Sequence, residues 1–90
     1  MPTVKFTPAL KRFFPGLKNM PAKGNTLAEI FNEIELNCPG VSSYLFDEQG
    51  YLRKHVNIFI DGTIIKDRSA LSDLFSEKSE IYIIQALSGG

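Results

Sequence analysis

The sequence predicts an α+β fold in which a mixed sheet packs on one main helix. Three observations point to it. Short apolar stretches near both ends of the chain, "TVKF" and "IYIIQ", have the composition and patterning of strands. One long segment, "NTLAEIFNEIELNCPG", repeats its apolar residues at helical spacing. A third, "HVNIFIDGTIIKD", reads as two strands joined by a tight turn. A single long helix between two groups of strands is an α+β arrangement.

Val4 and Phe6 alternate with Thr3, Lys5 and Thr7, so the first strand buries one face, and Pro8 ends it. The stretch "PALKRFFPGLKNMPAKGN" reads as a connection followed by a second strand around residues 17–22. Pro15 and Pro21 bracket that strand. Proline cannot donate to a ladder, which puts the strand at a sheet edge. In the helix, Leu27, Ile30, Phe31, Ile34 and Cys38 share one face. Thr26 and Glu29 form a capping box at its start, and Pro39-Gly40 stops it. Residues 41–50 are expected to hold a short helical turn around 43–46, then a turn at 47–50. In the hairpin, Val56, Ile58 and Ile60 alternate with Asn57 and Phe59. Asp61-Gly62 supplies the turn, and Ile64-Ile65 begin a short return strand. "SALSDLF" is expected to form a helical turn, and the last strand covers 81–85. The helix must cross the sheet to link the two strand groups, which is the layout of a β-grasp, the ubiquitin architecture.

Ninety residues make one domain, expected to span 1–90 with a flexible tail at about 86–90. The hydrophobic fraction of 43% and the seven Phe supply one modest core. Ten basic and ten acidic residues balance, which argues against a nucleic-acid partner. A single Cys excludes an internal disulfide and any multi-cysteine metal or iron–sulfur site, and no metal is expected. It fits a reducing cytoplasm. Met1-Pro2-Thr3-Val4 leads into polar residues, so no signal peptide is expected. No apolar run approaches the ~20 residues of a membrane span, so no membrane partner is expected either.

Three stretches carry a family resemblance. "YLRKHVNIFIDG" has a basic lead-in, a V-N-I core and a hairpin turn; "SEIYIIQALSGG" is a last strand with a Gly-Gly end; "GNTLAEIF" starts the helix. Together they resemble the ubiquitin-like sulfur carriers: the molybdopterin-synthase small subunit, the thiamin sulfur carrier and the carrier for cysteine synthesis (MoaD, ThiS and CysO). "FDEQGYLRKHVNIFIDG" also resembles the archaeal ubiquitin-like modifiers. Two departures stand out. "EKSEI" replaces the Gly-Asp that many relatives carry before the last strand, and Gln85-Ala86-Leu87-Ser88 replaces a proline before the tail.

The resemblance implies chemistry at Gly90. Its α-carboxyl is an anion at neutral pH, and a carboxylate acylates poorly. An activating enzyme of the ubiquitin-activating type would adenylate it with ATP. Sulfur would then displace AMP to leave a thiocarboxylate, or a lysine amine would displace it to leave an isopeptide. Leu87, Ser88, Gly89 and Gly90 form a thin neutral thread suited to a narrow active site, since Gly has no Cβ. A random terminal Gly pair occurs about once in 200 chains at average glycine usage. No phosphate-binding glycine loop is present, so ATP belongs to the partner enzyme and no cofactor is expected on this chain.

Strand alternation puts Ile81 and Ile83 inward and Tyr82 and Ile84 outward. Phe59, Tyr82 and Ile84 then form either an apolar docking patch on the open side of the sheet or ordinary strand residues covered by a loop. Cys38 reads as a structural thiol on the helix's apolar face rather than a sulfur relay. His55 reads as a strand-edge residue, because one His with no paired nucleophile makes no triad and no catalytic residue is expected. Lys11-Arg12 and Arg53-Lys54-His55 read as solvated surface or as steering charge for an acidic partner, and Asp47-Glu48 as a turn. The function expected is a sulfur carrier serving a sulfur-accepting biosynthetic enzyme of cofactor or amino-acid synthesis; the alternatives are a protein modifier conjugated to lysines through Gly90 and a non-reactive β-grasp interaction domain.

Overall fold

The structure, a computed structural model, describes residues 1–85. Its first strand, β1 (Thr3–Phe6), turns Val4 and Phe6 into the core, as alternation predicts. Pro8 does more than end the strand. It opens a helix, α1 (Pro8–Phe13), that the sequence pattern had suggested was plain connection. Proline suits the first helical position, where its fixed φ is helical and its missing N–H has no partner to lose. The Thr7 hydroxyl caps the helix, accepting from the Leu10 N–H at 3.4 Å. Leu10 is fully buried and ties the helix to the core. Lys11 and Arg12 sit in its last turn, where the helix dipole favours cations.

The second strand, β2 (Met20–Pro21), is shorter than the expected 17–22. It pairs antiparallel with β1, Thr3 opposite Pro21, at the sheet edge that proline requires. It is short for a local reason. The Phe6 N–H donates to the side chain of Asn19 at 3.1 Å, so a side chain takes the donor that a longer strand would have paired.

The main helix is α2 (Leu27–Asn37), with Leu27, Ile30, Phe31 and Ile34 buried. The Thr26 hydroxyl accepts from the Glu29 N–H at 3.1 Å, as a capping box should. The return half is displaced by one residue, since the Glu29 carboxylate accepts from the Asn25 N–H at 2.8 Å. Cys38 is the C-cap and is buried. The next helix, α3 (Val41–Leu45), starts earlier than the expected turn. Glu35 binds it to α2 by accepting from the Gly40 and Ser42 N–H groups at 2.8 and 2.9 Å. Asp47 then builds the expected turn, accepting from the Gln49 and Tyr51 N–H groups, both at 2.9 Å.

The hairpin joins β3 (Val56–Ile60) to β4 (Thr63–Ile64). Asp61 and Gly62 both have positive φ, 51° and 84°, the backbone a two-residue turn needs to follow the strand twist. Asp61 also fixes the start of the last strand, β5 (Glu80–Gln85). Its carboxylate accepts from the Ser79 hydroxyl at 2.8 Å and the Glu80 N–H at 2.9 Å.

"SALSDLF" holds a helical turn only at its start, where the Leu71 N–H donates to the Asp67 carbonyl at 3.1 Å, and continues as a loop. Two carboxylates take the backbone donors around it, Asp67 as an N-cap does. Asp67 accepts from the N–H groups of Ser69, Ala70 and Ser72, and Asp73 from those of Lys66 and Asp67. Leu71, buried between them, has a φ of 55°, which breaks any helix there.

The strand order among the described residues is β2-β1-β5-β3-β4. β5 runs parallel to β1 and antiparallel to β3. The inner residues of these three strands and the apolar face of α2 form one hydrophobic core. This is a β-grasp, as the order of elements predicted. Among the described residues, no helix is long and apolar enough to cross a membrane.

Candidate docking face and root of the tail

The register places the outer-face residues in rows. Phe59 lies opposite Tyr82, and Tyr82 lies beside Lys5 of β1. On the other side Phe59 lies opposite Ile64. One row therefore runs Lys5, Tyr82, Phe59, Ile64 across four strands. A second row pairs Asn57 with Ile84. Phe59, Tyr82 and Ile84 are half-buried. Ile64 is exposed and extends the apolar patch to the sheet edge. The sequence reading missed it because Ile64 and Ile65 are adjacent. The signal was present: a two-residue turn at Asp61-Gly62 puts Ile64 opposite Phe59, and Ile65 is the inward one.

Charge frames this face. Lys5 Nζ lies 3.1 Å from Glu80 Oε2, both on the outer side. Arg68, which the sequence reading did not single out, donates to Asn57 Oδ1 at 3.0 Å and to the carbonyls of Arg53 and Val56 at 2.6 and 2.7 Å. It clamps the start of β3 to the loop that precedes β5. Arg53 is held too, donating to the Ser43 carbonyl at 3.3 and 3.2 Å. Lys54 is exposed. His55 packs its ring edge-on against Tyr44 at 5.6 Å, just before β3.

The tail residues Leu87, Ser88, Gly89 and Gly90, with the flexibility expected of 86–90, lie outside the described residues. Their root does not. Gln85 ends β5, opposite Val56, and its Nε2 donates to the Tyr44 hydroxyl. Phe13 and Phe14 pack on the same ring, each at 5.5 Å.

Among the described residues, no group of three or more His, Cys, Asp or Glu gathers as a metal site. A cleft of about 370 Å³ opens between the lead-in to β2 and the end of α2, lined by Leu17, Met20, Ile34 and Cys38 among others. Its lining includes no outer-face residue.

The ThiS family profile matches residues 4–90. The chain belongs to the ThiS family. A curated relative, the sulfur carrier protein CysO of Mycobacterium tuberculosis, is 28% identical over 98% of this chain and 97% of its own length. The crystal structure of that CysO superposes with a TM-score of 0.79, at 26% identity over 97% of this chain and all of that one. The BexX/CysO complex of Amycolatopsis orientalis contains a chain with a TM-score of 0.82, at 24% identity over the whole of both chains. The small archaeal modifier protein 1 of Methanosarcina acetivorans has a TM-score of 0.76, at 25% identity over 99% of this chain and 95% of that one. Carrier and modifier share this ThiS-family fold, so the fold alone does not choose between them.

Proposed function

We propose that this ThiS-family protein is a sulfur carrier, a cosubstrate rather than an enzyme. The observation that carries the reading is the family match, which runs through Gly90 and takes in the Gly89-Gly90 pair. The relative named as a sulfur carrier supports it along nearly the full chain. In this reading the α-carboxylate of Gly90 attacks the α-phosphate of ATP on a ubiquitin-activating-type enzyme and releases pyrophosphate. Sulfide then attacks the acyl carbon and displaces AMP, leaving a thiocarboxylate. Leu87, Ser88, Gly89 and Gly90 thread the active site while Phe59, Tyr82, Ile84 and Ile64 dock the body. The thiocarboxylate next delivers its sulfur to a cytoplasmic biosynthetic enzyme of cofactor or amino-acid synthesis. ATP is bound by the activating partner.

The test is the intact mass after incubation with ATP, sulfide and an adenylating enzyme from the same organism. The expected change is one oxygen replaced by sulfur, lost when a residue is appended after Gly90. An unchanged mass with an enzyme that is active on its own carrier sinks the reading. The likeness to the archaeal modifier favours a second reading, conjugation to lysines through Gly90. Laddered adducts on a denaturing gel of cell extract would select it.

A further inference from the structure

β5 outruns one of its neighbours. Its pairing with β1 ends at Phe6 and Ile83, while its pairing with β3 continues through Asn57–Ile84 to Val56–Gln85. Beyond Phe6 the first strand has already turned into α1 at Thr7 and Pro8. Ile84 and Gln85 are therefore held by one strand only, and a strand end with half a ladder opens readily.

A side chain adds a second hold. Gln85 Nε2 donates to the hydroxyl of Tyr44, 41 residues away on α3. The amide oxygen Oε1 is buried and has no partner among the described residues. A hydroxyl both donates and accepts, so the pair bonds in either amide orientation. Tyr44 is itself fixed. Phe14 and His55 meet its ring edge-on at 5.5 and 5.6 Å, and Phe13 lies tilted against it at 5.5 Å. These rings come from the end of α1 and the lead-in to β3. Three parts of the chain thus converge on the residue that holds the base of the tail.

We propose that Tyr44 is a positioning residue: through Gln85 it fixes the end of β5, the residue to which 86–90 are joined. Its consequence for reaction rests on the carrier reading above. An acyl group delivered into a narrow site reacts faster when its base is already oriented.

Tyr44→Phe removes the hydroxyl and keeps the ring with its aromatic neighbours. Amide hydrogen exchange at Ile84 is expected to quicken roughly five- to tenfold, with Ile81, near the start of β5 and flanked by both neighbouring strands, unchanged. With the carrier as the varied substrate, the turnover number for thiocarboxylate formation is expected to fall about fivefold, the cost of freeing about one residue's backbone, at unchanged KM. Gln85→Met should reproduce both effects, and the double variant should add nothing to either single one. Unchanged exchange at Ile84 in both variants overturns the strap. Faster exchange with an unchanged turnover number overturns its role in presenting the tail. Failure of the unmodified protein to form a thiocarboxylate would overturn the carrier reading instead, and the exchange result would still decide the strap.

Discussion

The two faces of the sheet are built by the same strands and have different surroundings. On the inner face Val4, Phe6, Val56, Ile58, Ile81 and Ile83 are each 2% exposed or less. On the outer face Lys5, Asn57, Phe59, Tyr82 and Ile84 are half-buried, and Ile64 is exposed. Successive side chains in a strand point to opposite faces. Each candidate docking residue of β5 is therefore the chain neighbour of a core residue. Stability and recognition can be altered separately here, provided the register holds.

The largest effect expected is at Ile83→Ala. Ile83 lies beside Phe6 and opposite Ile58, with no exposure at all. Truncation should cost about 2–5 kcal/mol in urea unfolding. The fraction that stays folded should be activated normally, because the outer face is intact. A loss of activation beyond the loss of folded protein would break the separation of the faces.

Phe59→Ala should do the reverse. Stability should change by about 1 kcal/mol or less, since it loses only half-buried cross-strand contacts with Tyr82 and Ile64. The KM for the activating enzyme should rise roughly 10- to 30-fold if Phe59 anchors the interface. An unchanged KM would remove this face from docking.

Acid should produce the smallest effect, and it should fall on the loops that frame the sheet rather than on either face. Four carboxyls are held below the ordinary range. Glu35 is held by the Gly40 and Ser42 N–H groups, Asp61 by the Glu80 N–H and Ser79 hydroxyl. Asp67 is held by the Ser72 hydroxyl and the Ala70 N–H, Asp73 by the Lys66 and Asp67 N–H groups. A carboxyl with a lowered folded-state pKa stabilises above its unfolded value, and that contribution is lost as pH falls through the folded one. Urea midpoints should stay level from pH 7 to about 5 and decline below about 4. The cost of Ile83→Ala should be the same at both ends, because the inner face carries no titratable group. A midpoint that rises on acidification would contradict the assignment.

The faces were legible in the sequence because a period of two is a local signal. Val56, Ile58 and Phe59 sorted themselves without knowledge of any neighbour. The main helix was legible for the same reason, with Leu27, Ile30, Phe31 and Ile34 at regular spacing. Thr7-Pro8 carried a helix-start signal that was read only as a strand end. The turn at the start of 69–75 was legible but its early end was not, because the groups that shape the loop, the carboxylates of Asp67 and Asp73, lie outside the apolar pattern. The Tyr44–Gln85 contact could not be read at all, since nothing local links residues so far apart in the chain.

The place of β5 in the sheet has a consequence during synthesis. It is the middle strand of the five described, yet the last of them in sequence. A nascent chain that stops between residues 65 and 79 has β1 with β2 and β3 with β4, and no strand to join the two pairs. Such a fragment lacks Ile81 and Ile83, which are fully buried between the two pairs, and so leaves apolar surface of the kind that quality-control proteases recognise. A molecule that has closed its sheet has been translated at least to the residue on which the tail is mounted.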